Sequence, residues 1–264
     1  IAQKDLNSIC ITIYVTNYRS EIKEINGRTS LENLVYLSPE EINFEKYFEI
    51  KTDRYRLVKS DDWLPSRVCG HVMSVLRKLY FWDHNVSLGL DDKKSRAVLA
   101  MLENNEKLKD LTVRINHNEA IYDGYRLFAD EKVVERNNVV ARATLGVLSC
   151  LCNELWAELS RGDYYNHLTQ TVVTYSNVEC IPAHELGHHQ DYQRFSSDWE
   201  YSLLGILPPV KLYKEWMASS NAKEMLETQD KFQFNRYLLP AFLTYVLAAW
   251  SLLKKFTRKK EDDD

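Results

Sequence analysis

Residues 182–191 read Pro-Ala-His-Glu-Leu-Gly-His-His-Gln-Asp and contain two histidines four positions apart. His184 and His188 would share one face of an α-helix, so both imidazoles could reach one metal ion. Glu185, beside the first histidine, could take a proton from a water on that ion and return it to a leaving group. Pro182 suits the first turn of the helix. The stretch therefore predicts a helix with two metal ligands and a general base; the alternative is a surface helix with solvated histidines.

A third ligand is needed to complete such a site, because a catalytic zinc ion is held by three protein groups and keeps one position open. Residues 215–222 read Glu-Trp-Met-Ala-Ser-Ser-Asn-Ala, which places a carboxylate and small residues on one helical face. The members of this face are Glu215, Ala218, Ser219 and Ala222. Small side chains let one helix come close to another, so Glu215 is predicted to be the third ligand. The alternative is a surface glutamate on an amphipathic helix.

Two neighbouring features indicate close packing and a nearby sheet. Gly187 lies inside the predicted helix, where glycine costs about 1 kcal/mol relative to alanine, so we expect another backbone to pack against it. Residues 170–175, Gln-Thr-Val-Val-Thr-Tyr, form a short β-branched run that predicts a strand. We expect this strand to form an exposed sheet edge, to which an extended peptide could add through backbone hydrogen bonds.

The histidine pair and the later glutamate together resemble the motifs of a known enzyme group. The pattern His184-Glu185-x-x-His188, separated by 26 residues from Glu215-x-x-Ala218-Ser219, is similar to that of gluzincin (HExxH…ExxA) zinc metallopeptidases. Within that group it looks most like enzymes with a Glu-x-x-Ala-Asp helix, including the CAAX-prenyl-processing endopeptidases. The wider segment is similar to uncharacterised bacterial HExxH proteins.

The resemblance implies a zincin-like α+β core, peptide-bond hydrolysis and one Zn²⁺ per chain. It implies His184, His188 and Glu215 as the zinc ligands and Glu185 as the general base. The chain departs from the family at one position: an aspartate usually follows the ligand glutamate by four residues and orients a ligand histidine. Ser219 stands there instead, and because it carries no charge it should raise ligand basicity less.

Several polar side chains near this segment could take part in the predicted site without binding the metal. Asp191, one helical turn after His188, could supply the carboxylate that the family pattern places at position 219; the alternative is a helix-surface aspartate. His189 points about 100° away from its neighbour on a helix and is predicted not to bind the metal. One of three side chains before the predicted strand could donate a hydrogen bond to an oxyanion: Tyr164, Tyr165 or His167.

Composition and the run of motifs predict an α+β fold, helix-rich, with a small mixed sheet next to the HExxH helix. Glycine (8) and proline (6) together make up about 5% of the 264 residues, against a usual share of roughly 12%. So few turn-forming residues favour helices over an all-β fold. Residues 111–264 are predicted to form the zincin-like catalytic domain. Residues 1–110 form a region of unknown role that could belong to the same domain.

Apolar periodicity predicts further elements along the chain. Expected strands are Ile9–Val15, Leu111–Ile115 and, after an Asp-Gly turn signal at 123–124, a returning strand at Tyr125–Phe128. Expected helices are Ser66–Phe81, Asp91–Leu102 and Val139–Leu159. The first of these helices has one apolar stripe, formed by Val68, Val72, Val75, Leu76 and Leu79.

Charge and cysteine content limit the partners and the compartment. The chain has 34 Lys and Arg against 38 Asp and Glu, a net charge of −4 that offers no general footprint for nucleic acid. Its five cysteines are an odd number with no Cys-x-x-Cys, so a disulfide framework is not expected. Reduced thiols favour a reducing compartment such as the cytoplasm.

The apolar run Tyr237–Leu253 has two interpretations. It has no charge over 17 residues and is followed by Lys254-Lys255-Phe256-Thr257-Arg258-Lys259-Lys260, as a membrane segment with a basic flank would be. As a helix it would span roughly 25 Å, short of a hydrocarbon core of about 30 Å. A buried core helix is therefore favoured, and the alternative is association with a membrane surface through 237–253.

Three functions follow from these features. The preferred function is a zinc metallopeptidase that hydrolyses a protein or peptide substrate, with Glu185 as the base that activates water. The second is a zincin scaffold that binds metal without proteolysis and acts in partner or membrane-surface binding. The third is a membrane-surface structural protein whose histidines are incidental. The first two expect one zinc ion per chain, and the third expects none.

Overall fold

The structure is a computed structural model that describes residues 48–60, 64–195, 197–204, 207–226 and 230–262. The strands are β1 (Phe48–Lys51), β2 (Tyr55–Lys59), β3 (Leu111–Ile115), β4 (Tyr164–Asn166) and β5 (Thr171–Thr174). The helices are α1 (Leu64–Phe81), α2 (Asp92–Asn104), α3 (Ala120–Ala129), α4 (Glu131–Arg136), α5 (Val139–Ser160), α6 (Cys180–Tyr192), α7 (Asp198–Leu204), α8 (Pro208–Met225) and α9 (Asp230–Asp262). The predicted strand Ile9–Val15 lies outside the described residues.

The five strands form one mixed sheet in the order β1-β2-β3-β5-β4. The two outer pairs are antiparallel, whereas β2, β3 and β5 run parallel. On the central strand, Val113 pairs with Leu57 on one side and Val172 on the other, and all three side chains are fully buried. The fold is therefore α+β and helix-rich, as predicted. Strands from before and after residue 110 pair within this one sheet.

The prediction of a strand at Tyr125–Phe128 is wrong, because these residues belong to helix α3. The reason is a buried ion pair: Arg114 on β3 contacts both carboxylate oxygens of Asp123, at 2.6 and 2.9 Å. Arg126 also donates to Asp123, at 3.0 Å, from one helical turn later. The aspartate is therefore held in the first turn of a helix, and the Asp-Gly pair does not form a hairpin turn.

The expectation that residues 170–175 form a sheet edge is also wrong. The strand itself is present as β5, but it lies between β3 and β4. The covering strand β4 was not predicted from the sequence. It is reached through Arg161, which ends α5 in the left-handed conformation (φ 51°) and turns the chain back toward the sheet. A peptide cannot pair with β5 without displacing β4.

Two apolar helices, α1 and α9, present large apolar side chains to solvent. The stripe on α1 does not point into the core: Val72 is 67% exposed and Leu76 is 75% exposed. In α9, Tyr237 and Leu238 are buried in the core, whereas Leu247 is 67% exposed and Trp250 is 68% exposed. The interpretation of 237–253 as a buried core helix therefore holds at the start of the run and is wrong at Leu247 and Trp250. Among the described residues, α5 is long and apolar enough to cross a membrane by length and composition, and 29% of its apolar window is buried.

A buried carboxyl group on α5 predicts a pH-dependent stability. Burial, together with nearby Asp123, raises the pKa of Glu154 to about 8, and its Oε2 has no hydrogen-bond partner among the described residues. Because the folded state holds this proton more tightly than the unfolded state, stability should fall as pH rises from about 4.5 to about 8. Asn166 donates to the Oε1 atom of Glu154, an interaction that an uncharged amide oxygen can also accept.

The variant Glu154→Gln should therefore be as stable as the wild type near pH 4.5. It should be more stable at pH 8, by a few kcal/mol, because glutamine has no proton to lose. Urea denaturation at the two pH values measures the difference. Glu135→Gln, at an exposed position, is the control and should show no such pH-dependent gain. An equal effect of the two substitutions at pH 8 would contradict the assignment.

Candidate metal centre

The centre is built where α6 and α8 pack backbone against backbone. A Cβ atom on Gly187 would lie 2.2 Å from the carbonyl oxygen of Ala218, a distance that no side chain can occupy. Asn221 donates from Nδ2 to the carbonyl oxygen of Gly187 at 3.0 Å. This hydrogen bond stabilises the same contact between α6 and α8. The close approach predicted from Gly187 is therefore confirmed, and Ala218 and Ala222 of α8 are fully buried.

Gly187→Ala is expected to destabilise the protein by about 1–3 kcal/mol, because an added methyl group must push the two helices apart. Since α8 carries Glu215, the same displacement should weaken metal binding. Thermal denaturation and a zinc titration measure the two effects. Gly124→Ala is the matched control: it is also helical, its Cβ would meet nothing within 4 Å, and it should be neutral or slightly stabilising. Equal stability changes in the two variants would refute the packing argument.

Two imidazoles and one carboxylate converge at this junction. The Nε2 atom of His184 lies 3.3 Å from the Oε2 atom of Glu215, and the Nε2 atom of His188 lies 3.5 Å from the same oxygen. The three donor atoms all lie within 4.8 Å of one another. A tetrahedral ion with bonds of about 2.0–2.1 Å separates its donors by roughly 3.3 Å. The group could therefore hold a metal ion.

Ser219 contacts the first histidine of the group. Its Oγ atom lies 3.2 Å from the Nδ1 atom of His184, on the side of the ring away from Glu215. This contact fixes the ring so that Nε2 points to the shared position, which is what a group behind a metal-binding histidine must do. The residue four positions after Glu215 thus contacts His184 through a hydroxyl group and not through a carboxylate.

Asp191 was predicted either to orient a ligand histidine or to lie on the helix surface, and the structure supports neither. It is fully buried, so it is not a helix-surface residue, and both carboxylate oxygens are without a hydrogen-bond partner among the described residues. It therefore does not orient a ligand histidine through a hydrogen bond. Burial raises the pKa of Asp191, while the positive charges of Arg194, His188 and Lys214 oppose the rise.

The three converging groups differ in how the site affects their protonation. Burial lowers the pKa of His184. Burial also disfavours the charged form of His188, but the adjacent Glu215 carboxylate outweighs it and raises the pKa of His188. Although burial opposes ionisation of Glu215, the two histidines hold its pKa far below the usual range. The carboxylate is thus ionised at neutral pH, as a metal ligand must be.

Glu185 lines the same cleft as the three donors. Burial, assisted by the charges of Asp163 and Glu215, raises the pKa of Glu185 to about 8. A proton-transfer group is most effective when its pKa lies near the working pH. Asp163 also accepts hydrogen bonds from the backbone N–H groups of Tyr175 (2.7 Å) and Ser176 (2.9 Å), which orders the loop from β5 toward α6.

The cleft over the donors has a volume of about 570 Å³. Its walls come from α1, α5, α8 and α9, represented by Arg77, Trp156, Lys211 and Tyr245. Tyr245 was missed by sequence reasoning. Burial and the charges of Glu215 and Glu185 raise its pKa, and Lys211 Nζ lies 4.9 Å from the centroid of its ring. Its only sequence signal is a hydroxyl within a charge-free run.

The three oxyanion candidates from sequence also line the cleft, but their polar atoms are engaged elsewhere. The hydroxyl of Tyr164 donates to Asn118 Oδ1 at 2.9 Å. The hydroxyl of Tyr165 lies 3.0 Å from Nδ1 of His189, and His167 Nε2 lies 2.6 Å from the Ser202 hydroxyl.

His189 is fully buried and is not one of the converging donors. Its Nε2 atom lies 2.8 Å from the carbonyl oxygen of Lys109, and its Nδ1 atom faces the Tyr165 hydroxyl. This histidine therefore joins α6 to the loop before β3 and to β4, and its role is structural.

No family model, curated protein or solved structure matches this chain.

Proposed function

We propose that the protein is a zinc-dependent metallopeptidase with a zincin-like fold. The observation that carries the proposal is the convergence of His184, His188 and Glu215, with donor separations of 3.3 and 3.5 Å. Two imidazole nitrogens and one carboxylate oxygen are a donor set that suits Zn²⁺. The raised pKa of Glu185 in the same cleft adds the group that peptide hydrolysis requires beyond metal binding.

Each residue has a distinct role in the proposed reaction. His184, His188 and Glu215 would hold the ion, which when bound polarises the scissile carbonyl and acidifies a water molecule. Glu185 accepts the proton of the attacking water and then donates it to the leaving nitrogen. Ser219 positions the ring of His184 through their 3.2 Å contact.

Tyr245 is the side chain we assign to the charge that develops on the carbonyl oxygen. Its raised pKa keeps the hydroxyl protonated at neutral pH, so it remains a hydrogen-bond donor. Its side chain lines the same cleft as Glu185 and Glu215, and the charges of both carboxylates contribute to its raised pKa. A donor placed there in advance stabilises the transition state without reorganisation.

The direct test combines metal analysis with a cleavage assay on the full chain. After purification without chelator, the protein should contain about one zinc ion per chain. Chelator should abolish hydrolysis of a denatured protein substrate, and added Zn²⁺ should restore it while Mg²⁺ should not. Absence of bound metal would overturn the proposal. Zinc binding without hydrolysis of any denatured substrate would favour the non-proteolytic scaffold instead.

A further inference from the structure

Three helices that wall the cleft present large apolar side chains to solvent. We define an apolar rim by two such residues from each helix: Leu76 and Leu79 on α1, Leu151 and Trp156 on α5, and Leu247 and Trp250 on α9. All six are more than half exposed. Scattered single apolar residues are normal on a protein surface, but exposed apolar pairs on several helices around one cleft are typical of an interaction surface.

One helix of the rim, α1, contacts each of the other two. Arg77 on α1 donates to the Ser160 hydroxyl at the end of α5, at 3.0 Å. At its other end, α1 meets α9: the Tyr80 hydroxyl donates to the carbonyl oxygen of Pro240 at 3.4 Å. The rings of Phe81 and Tyr237 lie 5.8 Å apart. α1 therefore joins the two other helices of the rim.

The net charge of α1 and of α9 is opposite in sign to that of the whole chain, whereas α5 has one Arg against two Glu residues. The chain has a net charge of −4. α1 has three Arg or Lys residues and no Asp or Glu, and α9 has seven basic residues against three acidic ones. Basic helices with an apolar stripe bind the surface of anionic bilayers, where burial of the stripe and attraction to lipid charge act together.

Aromatic side chains at the rim have the chemistry of the bilayer interface. Trp156 and Trp250 are more than half exposed, and Trp82, which follows the last residue of α1, is 86% exposed. Indole rings prefer the headgroup region, because one edge is polar while the faces are apolar. Three exposed indole rings on or next to these helices therefore suit a lipid surface.

We propose that the apolar rim docks on an anionic lipid bilayer, so that the cleft opens toward the membrane surface. Building on the proposed peptidase function, the substrate class is then a polypeptide that lies at the membrane surface. The partner is the lipid surface itself. Both the stripe on α1 and the basic character of α1 and α9 contribute to its recognition.

Vesicle flotation with the full-length chain tests the docking step. The wild type should float with vesicles of equal parts phosphatidylcholine and phosphatidylglycerol, and far less with phosphatidylcholine alone. The double variant Leu76→Glu/Leu247→Glu should reduce the bound fraction by at least about tenfold, since it places two charges where apolar groups insert. Ile121→Glu is the matched control, because Ile121 is 88% exposed but lies on α3, which does not wall the cleft.

Two outcomes would overturn the docking proposal: no flotation of the wild type, or an equal loss in the Ile121 variant and the double variant. Tryptophan quenching by brominated lipids in the same vesicles provides a second readout on the unmodified chain, and absence of quenching also counts against docking. Zinc content measured on the same samples separates the two proposals. A double variant that retains about one zinc ion but no longer floats leaves the metal centre intact, whereas flotation without zinc supports docking alone.

Discussion

Replacing Glu185 by glutamine is expected to leave zinc bound and to slow peptide hydrolysis by about 10²–10⁴-fold. Glutamine has nearly the same shape and can still accept a hydrogen bond from water. It cannot take a proton, so the attacking water is no longer activated. Because the three proposed zinc ligands are unchanged, elemental analysis should still give about one zinc ion per chain. The rate is measured on a denatured protein substrate at saturating zinc.

The control for this prediction is Glu224→Gln, which changes an exposed glutamate on α8. It should leave both zinc content and rate unchanged. A Glu185→Gln enzyme with full activity would refute the assignment of the general base. A variant that loses zinc together with activity would instead mean that Glu185 supports the fold of the site, and the rate would then carry no information about proton transfer.

Replacing Glu215 by glutamine should weaken zinc binding by at least about 100-fold and abolish hydrolysis. The carboxylate oxygen lies 3.3 Å from His184 Nε2 and 3.5 Å from His188 Nε2, so one oxygen atom of Glu215 faces both histidines. Two neutral imidazoles and an amide hold a divalent cation poorly, because the only negative ligand is lost. Competition with a fluorescent zinc chelator measures the affinity.

Thermal stability provides an independent measure of the same loss. A ligand that binds only the folded state raises its stability by RT ln(1 + [L]/Kd). Added zinc should therefore raise the melting temperature of the wild type and of Glu224→Gln, but much less that of Glu215→Gln. If zinc stabilises all three chains equally, Glu215 is not a ligand and the third donor must come from elsewhere.

The parts of the site that sequence could predict are those governed by local geometry. The i, i+4 spacing of His184 and His188 follows from the helix itself. The small face of α8 and the interior Gly187 together indicated which helix would pack against α6, and the contact with Ala218 bears this out. The presence of Glu215 beside the two histidines follows from that single packing contact.

Features set by distant parts of the chain could not be predicted in this way. The Tyr125–Phe128 segment has an acceptable strand pattern, but the buried Arg114–Asp123 ion pair places it in a helix. Tyr245 comes to the cleft only because α9 packs against α8.

An amphipathic pattern also does not specify what the apolar face of a helix contacts. The stripe of α1 identified an apolar face correctly, yet periodicity is the same whether that face meets a protein core or solvent. Leu76, at 75% exposure, shows that this face is turned outward. The same limit applies to α9, where the sequence left a core helix and a membrane-associated helix as alternatives.

The contact between Gly187 and Ala218 bears on the rate at which a metal ion would bind. Since the two helices meet through main-chain atoms, the donors are already spaced for coordination once folding is complete, and the entropy of bringing them together has been lost beforehand. Capture of the ion then needs no structural rearrangement. Its rate should be limited by diffusion and by the loss of water from the cation, which would let the protein take up zinc rapidly from dilute solution.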